Sequence, residues 1–300
     1  MRYFFFFIVI CLGAQAQEIG FDEDRKEKVS TTFKSGYLIN VKTTETIHKK
    51  ELDFRVDHRF GDIAGKAGGT KTFFGLDQST DIRIGFDYGL TDNLTIGIAR
   101  AKGAGTAIQL LEASVKYKFL EQGLNQGSPI SAAFFGSAVS SGMDPSEDPY
   151  SPVAFQKGIH RLQYVSQLIL ARKFSSSFSL EVLPTYVHRN FTAFGDQNGF
   201  FSLGVGGRLK MTKRMALVAD YQLPFRDTEY LEKVWGNKHY NALGLGLELE
   251  TGGHVFHLNF TNATAIQESQ IITETTRSWG KGEFRWGFSI ARRFSFDKRK

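Results

Sequence analysis

From residue 81 the chain alternates between two kinds of position. Ile82, Ile84, Phe86 and Tyr88 are apolar or aromatic, and Asp81, Arg83, Gly85 and Asp87 are charged or glycine. A period of two puts one set of side chains on each face of a sheet. The polar turn Thr91-Asp92-Asn93 follows, and then Leu94, Ile96 and Ile98 alternate with Thr95, Gly97 and Ala99. Two such runs around a tight turn predict a hairpin. The same alternation covers Leu52 to Phe60, Glu112 to Phe119 and Glu283 to Phe296. Further strand runs fall near 128–141, 158–174, 178–189, 199–211, 214–224, 239–250 and 254–262.

The connections alternate too. Short ones fall near 91–93, 121–127, 174–177, 212–213 and 251–253, and longer ones near 142–157, 190–198, 225–238 and 263–281. The short connection near 103–107, on the long-loop side, is the exception. Membrane β-barrels have short periplasmic turns and long extracellular loops. The pattern therefore predicts an all-β, antiparallel up-and-down transmembrane β-barrel over residues 36–296. Counting strands from 52–60 to 282–296 gives twelve, with both ends periplasmic; fourteen is the alternative. Residues 37–46 fit a periplasmic lead-in, a plug piece or part of an extra strand pair.

The ends of the chain add a compartment. Arg2, the apolar run Phe4 to Leu12 and Ala14-Gln15-Ala16 make a signal peptide over residues 1–17, with cleavage expected after Ala16 or Gln17. Nine apolar residues are too few for a membrane helix. The single cysteine, Cys11, lies inside this segment, so a mature chain would carry no disulfide or thiolate chemistry. Residues 18–35 are polar and predict a flexible periplasmic lead-in, and residues 297–300 a basic tail. A net charge of +6 without a long basic run gives no reason to expect nucleic acid.

In a barrel the apolar face meets lipid and the polar face the lumen. The expected lumen charge network is Asp53, Arg55, Asp57, Arg59, Asp77, Asp81, Arg83, Asp87, Glu283, Arg285 and Arg293, with Lys116 and Lys118 beside it. Buried charges of both signs must pair or stay wet. Phe60, Phe119, Phe174, Phe178, Tyr186, Phe294 and Phe296 sit near strand ends and fit interfacial girdles. The aromatic near the C-terminus also suits a segment read by the barrel-insertion machinery.

Little in the sequence points to catalysis or to a cofactor. His254 and His257, three apart on a strand, face opposite ways and cannot share a metal. Asp144, Glu147 and Asp148 make an acidic loop that reads as solvated rather than as a calcium site. Some outer-membrane phospholipases carry a His–Ser dyad on the lipid-facing rim. Tyr186 and His188 share that face here, but the sequence places no serine beside His188, so both read as girdle residues.

The pieces His58-Arg59-Phe60-Gly61-Asp62 and Phe73-Phe74-Gly75-Leu76-Asp77, continuing through Asp81-Ile82-Arg83 to Gly89, resemble a domain-of-unknown-function family of outer-membrane β-barrel proteins of Gram-negative bacteria. The resemblance spans about residues 36 to 296 and implies a fold and a location but no activity. It suggests that Asp77 and Asp81 pair with Arg59 or Arg83, folding the 62–79 loop into the lumen. Two functions fit: a passive porin-like channel or small-solute transporter, and a structural scaffold barrel whose ion-pair-filled lumen binds a partner through its loops or periplasmic end. The expected partners are outer-membrane lipid, the insertion machinery and a periplasmic or surface protein.

Overall fold

A computed structural model describes residues 28–29, 31–124 and 127–297. The predicted signal peptide, most of the lead-in and residues 298–300 of the tail lie outside the described residues. Among those described, twelve strands close into one antiparallel barrel in which each strand pairs with its neighbours in sequence and the first with the last. They are β1 (Glu51–Asp62), β2 (Ser79–Gly89), β3 (Leu94–Ala101), β4 (Leu110–Leu120), β5 (Ser131–Ser141) and β6 (Leu162–Lys173). The circuit continues through β7 (Phe178–Arg189), β8 (Gly199–Lys210), β9 (Met215–Pro224), β10 (Ala242–Thr251), β11 (His254–Thr261) and β12 (Arg285–Ser295). Two short helices sit in long connections: α1 (Glu229–Trp235) and α2 (Glu268–Glu274).

Closure gives every strand two partners, which is what lets a sheet survive in hydrocarbon. The outer wall carries Ile84, Phe86, Ile96, Ile98, Leu168 and Leu217, each more than a third exposed. So continuous an apolar surface is stable only against lipid. Phe119, Phe174, Phe178, Tyr186, Phe294 and Phe296 are also on it, as the girdle reading expects. Among the described residues no helix is long and apolar enough to cross a membrane.

The strand count settles the place of residues 37–46. They add no strand; they fold inside the barrel. Leu38 N–H donates to the Val41 carbonyl and Thr43 N–H to the Gly36 carbonyl, making a tight hairpin with Ile39 and Asn40 at its tip. Thr32, Phe33 and Ser35, which the sequence puts in a lead-in, are buried with it.

Candidate functional site: a lumen filled from both ends

The inward face of β1 holds Asp53, Arg55, Asp57 and Arg59, all buried, and β2 and β4 add Asp81, Arg83, Glu112 and Lys116. Alternation alone aims them there. Arg55 Nε lies 2.7 Å from Asp57, and Arg83 lies 3.6 Å from Asp57 and 2.7 Å from Glu112. The result is a chain of alternating charge that runs from β1 through β2 and across β3 to β4. Arg285 pairs with Asp62 at the long-loop end of this wall, the end expected to be extracellular. Further round, Arg208 on β8 bonds Glu248 at 2.7 Å, and Glu248 also meets His257 at 3.3 Å.

The hairpin at 36–43 enters this wall from the short-turn end, the end expected to be periplasmic. Tyr37 is its most contacted residue: the cations of Lys42, Arg55, Arg83 and Lys116 lie 3.8, 4.5, 5.6 and 5.7 Å from its ring centre. Its hydroxyl donates to Asp87 at 3.2 Å. Cations over an aromatic face are held by the ring quadrupole, more strongly where water is excluded. At the tip, the backbone N–H groups of Ile39 and Asn40 and the Asn40 amide all donate to Asp220, at 2.7–2.8 Å. Lys116 Nζ donates to the carbonyls of Gly36 and Glu45 at 3.1 Å.

The other side of the hairpin is apolar. Phe33, Leu38 and Val41 form one buried cluster with Phe135, Ile169, Leu183 and Val218, which point inward from β5, β6, β7 and β9. Glycines make room for it. A Cβ on Gly206 would lie 2.6 Å from Leu38, and one on Gly244 would lie 2.6 Å from Asn40. The glycine run Gly204–Gly207 is in part the seat of the hairpin, a close approach that a strand glycine permits.

From the opposite, long-loop end the connection between β11 and β12 turns into the barrel and delivers α2. Residues 268–273 of α2 are buried. Ile272 packs with Val165, Val187 and Phe200, and Ile271 with Ala242 and Ala263. Gln167 donates to Glu268 at 2.6 Å. Burial pushes the Glu268 carboxyl up to about 7, against the pull of Lys42 and of the Gln167 hydrogen bond.

The two insertions meet at Arg59. One guanidinium nitrogen donates to Asn40 of the hairpin at 2.7 Å, and the other to the carbonyls of Ala263 and Ala265 in the β11–β12 connection. Beside it Asp81 accepts from Ile266 N–H at 2.8 Å and from Gly103 N–H at 2.9 Å. What space remains is at the mouths. A cavity of about 420 Å³ opens outside among Arg189, Asp196, Arg226, Trp235, His239 and Glu274, and one of about 310 Å³ opens at the periplasmic end near Lys34, Glu250 and Arg293. Gaps around the hairpin itself are about 20 Å³ each, room for about one water. Burial would push the Asp196 carboxyl up, but Arg189 and Arg226, at 2.8 and 2.5 Å, outweigh it and hold it below the usual carboxylate range.

Of the expected network, Asp53, Arg55, Asp57, Arg59, Asp81, Arg83, Asp87 and Arg285 face the lumen or its contents. Arg293 joins it at its mouth, opposite Asp53, and two do not join it, Asp77 and Glu283. Asp77 is exposed on the β1–β2 connection, so the 62–79 loop does not fold inward. That loop carries Phe73 and Phe74 outward, 65% and 46% exposed, and the β11–β12 connection already occupies the lumen it would need. Glu283 lies in the β11–β12 connection and accepts from Ser278 N–H at 3.0 Å. Arg293 sits at the periplasmic rim, 3.8 Å from Glu51, with its side chain 35% exposed. Asp144, Glu147 and Asp148 hold no metal site; among the described residues no three such side chains come together as ligands. His188 bonds Asn190 at 3.1 Å.

The hairpin's anchors Tyr37, Asn40 and Asp220 and the plug helix α2 were not among the expected site residues. Their signal was weak: an apolar–polar mixture at 37–46 left over from the strand count, and a connection at 263–281 too long for a turn.

Comparison with curated proteins gives no match. Among solved structures the chain is similar to NanC porin, with 9% identity over 82% of this chain and 100% of that one and a TM-score of 0.48. KdgM porin aligns with 8% identity over 82% of this chain and 99% of that one, at a TM-score of 0.45. An outer membrane channel from Pseudomonas putida F1 aligns with 12% identity over 84% and 98%, at 0.48. A family model described as a membrane bound beta barrel domain, DUF5777, matches residues 33–294, which take in the inner hairpin as well as all but the last residue of the twelve strands. The chain belongs to that membrane-bound β-barrel family.

Proposed function

We propose that this protein is a small-solute channel of the outer membrane that its own chain holds closed. The observation that carries the reading is the meeting of two inserted segments at Arg59, between an outer and an inner mouth, with only water-sized gaps around the hairpin. The hairpin is held by side-chain contacts and hydrogen bonds, not by the barrel ladder, so it can leave without opening the wall. Removing it would uncover Asp220, Asp87 and the Arg55–Asp57–Arg83–Glu112 chain as a wet, charged surface.

Planar-bilayer recording tests this. The intact protein should stay mostly closed, and a variant lacking residues 28–46 and with residues 264–276 replaced by a short linker should show a stable open level. Heat-modifiable gel migration would show that the variant is a folded barrel. A folded but silent variant would sink the channel reading in favour of a scaffold barrel. Cleavage after Ala16 or Gln17 belongs to the same reading, and N-terminal sequencing of the membrane-inserted protein checks it. So does delivery by the barrel-insertion machinery, for which depletion of that machinery should leave the protein unfolded in the periplasm.

A further inference from the structure

We propose that the outer wall carries a lipid-facing Ser–His pair, Ser79 and His58, that cleaves acyl esters of membrane lipid. Ser79 Oγ and His58 Nε2 are 3.0 Å apart. This is the reach a general base needs to activate a hydroxyl nucleophile.

Simple alternation would not place them together. His58 occupies an outward position on β1, but Ser79 shares the parity of Asp81 and Arg83, which point inward. A β-bulge reverses it. Arg59 pairs with Asp81 while the next residue, Phe60, pairs with Ser79, so Thr80 is the extra residue. The Thr80 hydroxyl bonds the carbonyls of Arg59 and Phe60, at 3.1 and 2.8 Å, and fixes the bulge. Past the bulge Ser79 faces the same side as Phe60, which is outward. Bulges of this kind re-aim single side chains and occur beside active sites.

The surroundings suit an ester substrate. The imidazole is stacked on Phe288, with centroids 5.4 Å apart and planes at 9°, and touches Phe60 at 4.5 Å. These rings hold its orientation, since His58 Nδ1 has no hydrogen-bond partner. Lys102 Nζ donates to the Ser79 carbonyl at 3.2 Å, which keeps a cation in the neighbourhood of the pair. The pair lies at the extracellular end of β1 and β2, by the loop that exposes Phe73 and Phe74. Aromatic belts mark the headgroup level of a bilayer, the depth at which glycerol and sugar acyl esters lie.

The chemistry balances without a cofactor. Ser79 Oγ–H gives its proton to His58 Nε2 as Oγ attacks the ester carbonyl carbon. The bond to the leaving alcohol breaks, and that alcohol takes the proton from His58. Water, deprotonated by the same nitrogen, then attacks the acyl-serine; the products are a fatty acid and free Ser79. No carboxylate supports His58, so turnover should be slow.

The test uses the full-length protein in mixed micelles of detergent and dimyristoylphosphatidylcholine. A fluorophosphonate probe should label Ser79, identified by mass spectrometry, and myristate should be released. Ser79→Ala should abolish both. His58→Phe, which keeps the aromatic packing, should lower both by about 100-fold, the low end for losing a general base. Gel heat-modifiability confirms that each variant is folded. Equal labelling or release in folded Ser79→Ala, or neither signal from the intact protein, would overturn the proposal. The pair lies outside the lumen, so these outcomes are separate from the conductance result.

Discussion

Around the barrel from β10 through β12 and β1 to β4, the inward positions include Glu248, His257, Asn259, Arg285, Asp57, Arg59, Arg83 and Glu112; from β5 to β9 they include Phe135, Val165, Ile169, Leu183, Val187, Phe200 and Val218. Both halves hold the same two insertions, by different means. The polar half pairs its charges with one another and with backbone groups of the hairpin and of the β11–β12 connection. The apolar half packs Phe33, Leu38, Val41 and Ile272 with no direction to satisfy. The division is one of emphasis, since Gln163, Gln167, Glu181, Arg189, Asp220 and Gln222 also point inward from these strands, and Asp220 and Gln167 hold the hairpin tip and α2.

The contrast separates affinity from registry. Burial of apolar surface contributes about 25 cal/mol per Å² wherever it occurs. Buried charge pairs roughly break even against their desolvation, yet cost several kcal/mol when one member is removed. The apolar half should therefore supply most of the holding energy. The polar half should reject any misplaced insertion, because a shifted hairpin would strand charges without partners.

Breaking the polar half at its hub should have the largest effect. Arg59→Ala removes the group that bonds both insertions and leaves Asp81 beside an empty site, so it should weaken their docking by about 3–5 kcal/mol. Conductance should rise and the hairpin should become sensitive to added protease. Arg59→Met, which restores volume without charge, should recover part of the loss. If Arg59→Ala is silent in both assays, the two insertions do not depend on this contact.

In the apolar half, Leu38→Ala should cost about 2–5 kcal/mol of docking, as for other buried leucines. Hydrogen exchange of the 36–43 hairpin would read it, with the barrel strands unaffected. Equal loss of protection in the strands would mean that the hairpin and wall fold as one unit.

A pH series sharpens the comparison, because it acts on a carboxyl set between the halves. Glu268 is held up to about 7 by burial, so the docked state keeps a proton that the released segment gives up above about 4.5. Docking of α2 is therefore favoured most below the lower value and weakens as pH rises through about 7. Open probability should be greater at pH 8.5 than at pH 5.5, and Glu268→Gln should flatten that dependence. An unchanged slope in Glu268→Gln would assign it elsewhere. The smallest effect expected is that of Tyr37→Phe, which loses the hydrogen bond donated to Asp87 and a long one accepted from Arg83 but keeps the ring among its four cations, at a cost of about 1–2 kcal/mol.

How far each half could be read in advance follows from the same division. On β1, β2 and β4 polar and apolar side chains alternate cleanly, so Asp57, Arg59 and Arg83 could be assigned to the lumen at once. On β5 to β9 apolar residues occur on both faces: Phe134 faces lipid and Phe135 the hairpin, and Leu180 and Leu183 divide likewise. With polar residues such as Gln167, Glu181 and Asp220 interleaved with apolar ones on the inside, the pattern gives strands but not the apolar patches of the lumen wall. Asp77 shows a different limit. A charge in a loop has no face until the loop has a path, and here the β11–β12 connection takes the lumen instead.

By itself the sequence determined the barrel and the charged part of its lumen, because period-two alternation is a local property of the chain; it favoured twelve strands over fourteen, and the folding of residues 37–46 inside the barrel fixed the count. Only the tertiary structure decided what fills the lumen and where Ser79 points. Both depend on pairings between distant segments: Asn40 with Asp220, Arg59 with Ala263 and Ala265, and the one-residue bulge that sets Ser79 beside His58.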